Sequence, residues 1–158
     1  MNLDPILERL TIGRERYGHG VRVDDDTTTW GTKTNSWMEM ANEEFLDAII
    51  YVTADYIRIN RDPETGMMGD MEIRYMTQRP GYLTAEDPDA WVKENPLMDD
   101  NDLILYIITN WTEMGVGRHK TLLCTLLNIL NIDTPMVIDL SESGSDTSST
   151  ASEFESYL

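Results

Sequence analysis

The chain is poor in cysteine, histidine, phenylalanine and base: among 158 residues there are one cysteine, two histidines and two phenylalanines, and 12 Lys and Arg face 29 Asp and Glu. One cysteine excludes an internal disulfide framework, and no Cys/His set with zinc spacing can be assembled. Cys124 lies inside the apolar run 121–130 and reads as a buried, inert thiol. His19 and His119 are too few for a metal hydrolase built on histidine–aspartate ligands. A Walker-type Gly-Lys-Ser/Thr loop and a Gly-x-Ser-x-Gly elbow are both missing. No apolar run approaches the ~20 residues of a membrane span, and MNLDPILERL lacks a signal-peptide layout. The expectation is a soluble protein of the cytoplasm, the host's if the chain is viral. The formal net charge of −17 repels nucleic acid and anionic membranes, which excludes both as expected partners. A small phosphorylated ligand stays compatible where a cation or a local group of bases reverses the sign.

What is present is helical. Residues 1–140 suffice for one domain with a core. Asp4 followed by Pro5 predicts an N-cap and first helical position, opening a helix to about Arg16 with Ile6, Leu10 and Ile12 facing inward. Residues 17–35, with Gly18, Gly20, Gly31 and the run DDDTTT, predict a loop or short strand. Asn35 or Ser36 should cap the next helix. Residues 61–100 carry Pro63, Gly66, Gly69, Pro80, Gly81, Pro88 and Pro96 and are expected to be an irregular insert, arm, lid or oligomer contact, with Met71–Met76 as a candidate strand. Asp102 to about Met114 and Arg118 to about Asn131 predict two apolar helices. The segment SESGSDTSSTASEFESYL, 141–158, has no base and little apolar content, so a disordered acidic tail is expected.

The most informative stretch is Ser36–Arg58, SWMEMANEEFLDAIIYVTADYIR. At 3.6 residues per turn, Phe45, Leu46, Ala48, Ile49, Val52, Tyr56 and Ile57 share an apolar arc. Glu43, Glu44, Asp47 and Asp55 share the opposite arc with Tyr51 and Arg58. Acidic faces are commonly just solvated. Here, though, no lysine occurs between Lys33 and Lys93 to build the usual i,i+4 ladder, and Glu43, Glu44 and Asp47 fall within one turn. Carboxylates one turn apart lie about 5–6 Å from each other and repel unless a cation sits between them.

Trp37-x-Glu39-x3-Glu43-Glu44-x2-Asp47-Ala48-Ile49-x-Tyr51 resembles the signature helix of the MazG-like all-α nucleoside triphosphate pyrophosphohydrolases. The preceding Arg16-Tyr17-Gly18-His19-Gly20-Val21-Arg22 and Trp30-Gly31-Thr32 are similar to the loop of phage-type members, among them the MazZ group that acts on dGTP. The resemblance covers residues 9–60 well and 99–131 loosely. It implies a helical bundle that forms a homodimer or homotetramer and hydrolyses an NTP or dNTP to the monophosphate and pyrophosphate with Mg²⁺ or Mn²⁺. Glu44 and Asp47 match the family's Glu-x-x-Asp half, with Glu43 preceding. Glu39 is in place, yet no separate Glu-x-x-Glu helix exists. Asp99 and Asp102 are the best substitutes, and Asp55 is a further candidate. The expected metal ligands are thus Glu39, Glu43, Glu44, Asp47, Asp99 and Asp102.

The chemistry is coherent on its own terms. Carboxylate-held divalent ions neutralise phosphate oxygens and make water nucleophilic, and a carboxylate left partly free, Glu43 or Glu44, can take the water's proton. Arg14, Arg16, Arg22 and Lys33 are candidate phosphate donors. His19 could touch phosphate or base, and Trp30 and Trp37 could stack on the base. The competing expectation is a non-enzymatic acidic adaptor or DNA mimic that binds a basic partner, with its acids spread over the surface instead of gathered at one point.

Overall fold

The computed structural model describes residues 1–132; the expected tail at 141–158 and the end of the 1–140 domain lie outside the described residues. The described chain is all-helical, with six α-helices, two 3-10 turns and no strand among the described residues: α1 Asp4–Tyr17, α2 Trp37–Asn60, α3 Asp70–Thr77, α4 Pro88–Glu94, α5 Asn101–Thr109 and α6 Arg118–Ile129, with 3-10 turns at Thr27–Trp30 and Trp111–Glu113. The described residues divide into two compact units, Met1–Ala41 and the part that begins at Asn42.

In the first unit, α1 starts one residue earlier than expected. Leu3 occupies the N-cap without a side-chain bond, while Asp4 is itself helical and its N–H donates to Asn2 Oδ1 at 3.0 Å. The helix ends on Gly18, whose φ of 80° supplies the left-handed cap and whose N–H donates to the Arg14 carbonyl at 2.9 Å. The expected inward face is not realised. No residue of α1 is buried, Ile6 and Leu10 are 58% and 49% exposed, and Ile12 is half-buried. A helix of 14 residues is marginal without packing, so periodicity alone misplaced its apolar stripe.

The segment 18–36 is loop plus one 3-10 turn, organised around hydroxyls. Thr27 is 0% and Thr32 6% exposed. Their hydroxyls meet at 2.8 Å, and both can donate to the Thr34 carbonyl, at 3.2 and 2.7 Å. The Ser36 N–H donates to Thr27 Oγ1 at 2.7 Å, and Asn35 Oδ1 accepts from the Thr27 N–H at 3.0 Å. Of the two candidate caps, Ser36 is the one that acts on α2: its Oγ accepts from the Glu39 N–H at 3.1 Å.

The second unit contains an apolar core whose members repeat four residues apart: Ile49, Thr53 and Ile57 on α2; Met71 and Tyr75 on α3; Leu103, Ile107 and then Trp111; Leu123 and Leu127 on α6. Spacing of four puts each line on one helix face. Leu46, expected in the α2 arc, is 47% exposed, and Thr53 takes an unpredicted core place by donating its hydroxyl to the Ile49 carbonyl at 2.8 Å. Cys124 is 9% exposed, and burial pushes its thiol pKa up, as an inert thiol requires.

Residues 61–100 depart most from expectation. Met71–Met76 is helical, not a strand, and Met71, Tyr75 and Met76 join the core, so this stretch builds the unit instead of forming an arm. Glu72, 8% exposed, fixes it: its Oε2 accepts from the Met68 N–H at 2.7 Å and its Oε1 from Arg61 at 3.3 Å. Gly69 precedes α3, and Asp87 caps α4 by accepting from the Ala90 N–H at 3.3 Å. Proline and glycine here delimit short helices; they do not abolish them. The expected helix to Met114 breaks at Thr109 into the 3-10 turn, and the last helix ends at Ile129, two residues early.

Candidate functional site

The first unit has a cavity of ≈ 220 Å³ walled by α1, the 19–25 loop, Trp30 and the start of α2. Of the expected substrate residues, Arg14, His19, Arg22, Trp30 and Trp37 line it, and Arg9 and Tyr17 join them; Arg16 and Lys33 do not line it. Tyr17 and Trp30 meet edge to face, with centroids 5.5 Å apart, leaving an indole that is 42% exposed. The Trp37 indole N–H is committed to the Val23 carbonyl at 2.9 Å, which fixes that ring as a wall. The His19 Nδ1–H donates to the Gly20 carbonyl at 2.7 Å, because a carbonyl only accepts, and Nε2 is left as the available nitrogen. Arg22 is half-engaged, its Nε–H donating to Asp25 Oδ2 at 3.0 Å. Three arginines, an open indole and an imidazole around one cavity can receive a planar ring and a phosphate oxygen anion. Arg9 carried no sequence signal, and Tyr17 stood in the loop resemblance without being taken as a site residue: both reach the cavity because α1 stacks Arg9, Gly13 and Tyr17 along one side.

The acids are placed differently from one another. Glu39 is a loop anchor. Its Oε1 accepts from the Lys33 N–H at 2.7 Å, and its Oε2 from the Thr34 N–H and hydroxyl at 3.0 and 2.7 Å. Bonds from Lys33 and then Thr34 hold its carboxyl below the usual range. Both oxygens are committed, which leaves Glu39 poorly suited to ligate a metal. Glu43, Glu44 and Asp47 are exposed on α2, and none is ion-paired with a described residue. Asp99 accepts from the Asn101 N–H at 3.0 Å in front of α5, and Asp102, also exposed, lies in its first turn. Asp55 is taken by His119 at 2.7 Å.

No protein-family model matches the chain, and neither a curated protein nor a solved structure does.

Among the described residues, no three Asp, Glu, His or Cys side chains gather into a set that could hold a metal ion. What the second unit offers is the exposed pair Glu44 and Asp47, one turn apart, with Glu43 beside them. A pair is compatible with Mg²⁺, which commonly takes one or two carboxylates and fills its remaining positions with water and substrate phosphates. A pair of carboxylates leaves most positions of such an ion to other ligands and does not form an all-protein cage.

Proposed function

We propose that the protein is a nucleoside triphosphate pyrophosphohydrolase of the cytoplasm. It splits an NTP or dNTP, with GTP and dGTP as candidates, into the monophosphate and pyrophosphate. The observation that supports this most is the joint presence of Arg14, Arg22, His19, Trp30 and Trp37 around one cavity. The resemblance of Trp37–Tyr51 to the MazG-like signature adds the reaction class. In this reading Arg14 and Arg22 fork onto phosphate oxygens, Trp30 stacks on the base, and Glu44 and Asp47 hold Mg²⁺ or Mn²⁺. The ion, when bound, neutralises phosphate charge and polarises water. Glu43 or Glu44 takes the water's proton. Water adds to the α-phosphorus, the α–β phosphoanhydride bond breaks, and pyrophosphate leaves. A homodimer or homotetramer fits the open apolar side of α1, where Leu3, Ile6 and Leu7 are 48%, 58% and 56% exposed.

The test is turnover with Mn²⁺. Glu44→Gln and Asp47→Asn should each abolish hydrolysis and leave the melting temperature unchanged or raised, because either change relieves repulsion in the metal-free protein. Full activity in both variants would remove α2 as the metal helix. A second reading, the acidic adaptor or DNA mimic, is favoured by the exposure of Glu43, Glu44, Asp47, Asp99 and Asp102 without a common centre. Saturable Mn²⁺ binding at few sites supports the enzyme, and weak binding spread over many sites supports the adaptor.

A further inference from the structure

The second unit holds a cavity of ≈ 480 Å³ among residues 65–97, the stretch expected to be an irregular insert, and none of its residues has a part in the reaction above. Met67, Met76, Tyr82, Val92, Pro96 and Leu97 give it apolar walls, and Glu72, Arg79, Asp89 and Lys93 are its charged members. A concave apolar site of this size with a few polar anchors suits a small organic ligand.

The charges of the cavity do not balance. Glu72 is matched by Arg61 at 3.3 Å, and its other oxygen accepts from the Met68 N–H. Asp89 and Lys93, both exposed, lie one turn apart on α4 and offset each other at the rim. Arg79 is left over: it is half-buried and has no ion-pair partner among the described residues.

Arg79 is also held in place, unlike a loose surface base. Its Nη2 donates to the Asn95 carbonyl at 2.8 Å, its Nη1 to the Met76 sulfur at 3.9 Å, and its guanidinium lies 4.7 Å from the centre of the Trp91 ring. These supports are themselves fixed. The Asn95 N–H and Nδ2 both donate to the Trp91 carbonyl, at 2.9 and 2.8 Å, and Tyr82 meets Trp91 edge to face with centroids 5.8 Å apart. Gly81, at φ 94°, passes so near that a Cβ would lie 3.1 Å from the Trp91 indole nitrogen, so a side chain is excluded there. Two of the five guanidinium N–H groups are used in this way, which leaves three for a ligand. A cation already oriented and partly desolvated binds an anion at little further ordering cost.

We propose that this cavity binds a monoanionic amphiphile, a carboxylate carried on an apolar body. The carboxylate accepts from the free N–H groups of Arg79, and the apolar body lies along Met67, Met76, Val92 and Leu97, where the unbranched methionines adapt to its shape. One uncompensated charge calls for one negative charge on the ligand. The site is independent of the hydrolase reading.

Octanoate is the probe, titrated by calorimetry into the full chain at neutral pH. One saturable site is expected. Acetate lacks the apolar body, octanol lacks the charge and octylammonium reverses it; each should bind at least about tenfold more weakly. Arg79→Gln should weaken octanoate about tenfold or more, the worth of a charge-assisted hydrogen bond. Arg79→Lys keeps the charge and should fall between. Because Arg79 also packs on Trp91, Leu97→Glu gives a separate reading. Leu97 is 42% exposed, so a carboxylate there sets like charge against the ligand without emptying the core. Octanoate should again weaken about tenfold, at unchanged melting temperature. Binding should move the amide signals of Val92 and Leu97 in nitrogen–proton spectra and leave those of Arg14 and Trp30 in place. No octanoate binding by the wild type, octanol or octylammonium bound as tightly, full affinity in Arg79→Gln or in Leu97→Glu, or shifts confined to Arg14 and Trp30 overturns the proposal.

Discussion

The two units are built from opposite materials. The first, Met1–Ala41, closes around hydroxyls: its fully buried side chain is Thr27, tied to Thr32, Thr34, Asn35 and Ser36, while α1 buries nothing. The second closes around hydrocarbon, with Leu103, Ile107, Leu123 and Leu127 each at or below 1% exposure. Hydrocarbon packing is non-directional and adds up over area. A hydroxyl network is directional, so each bond depends on its neighbours' positions. The first unit should therefore fail locally and sharply, and the second globally and in proportion to the volume removed.

The largest effect should come from Leu123→Ala. Removing that side chain leaves a cavity in the middle of α6's packing and should cost about 2–5 kcal/mol, read as a fall in the midpoint of urea unfolding for the second unit. A cost near zero would mean that the hydrocarbon core is looser than its burial implies. Thr27→Val comes next. It keeps the shape but removes the hydroxyl that serves Thr32, Thr34 and Ser36, stranding partners at roughly 1–3 kcal/mol for a buried unsatisfied group. Amide exchange should rise at Ser36 and its neighbours and stay unchanged at Ile107 and Leu123. Uniform exchange changes in both units would break the contrast.

These materials also explain what could be read in the chain. The second unit was legible wherever apolar residues recur every four positions, as in α5 and α6. It was misread at 61–100, where each helix is too short to show a period and the proline and glycine content dominates: Met71–Met76 has the residues of a strand and becomes a helix because Glu72 ties it to Arg61 and the Met68 amide. The hydroxyl network left no trace. Thr27, Thr32 and Thr34 looked like loop residues, since nothing in a threonine's neighbours announces that its oxygen is buried. Glu39 was misleading for the same reason: its place beside Glu43 suggested a ligand, while its partners Lys33 and Thr34 precede the helix. The cavity of the first unit was legible as a set of residue types, less Arg16 and Lys33. The Asp55–His119 pair, joined across 64 positions, was not legible at all.

The smallest structural effect should be at Glu39. Its pKa in the folded chain lies below the ordinary 4.5, so the bonds to Lys33 and Thr34 contribute fully above that value and are lost as pH falls through the lowered one. Amide protection at Lys33 and Thr34 should drop on acidification below pH 4.5, and Glu39→Gln, which keeps only one accepting oxygen, should show that loss already at neutral pH. Protection that does not change with pH would show that the hydroxyls alone hold the loop.

The two units also differ in chemistry, with arginine and indole around the cavity of one and exposed carboxylates on α2 of the other. The most direct measurement is incubation of the purified chain with a panel of NTPs and dNTPs and Mn²⁺, with products separated by chromatography. The account predicts that monophosphate and pyrophosphate appear together in equal amounts and that neither forms when Mn²⁺ is withheld. Diphosphate accumulating with orthophosphate, or no turnover of any nucleotide in the panel, would contradict it.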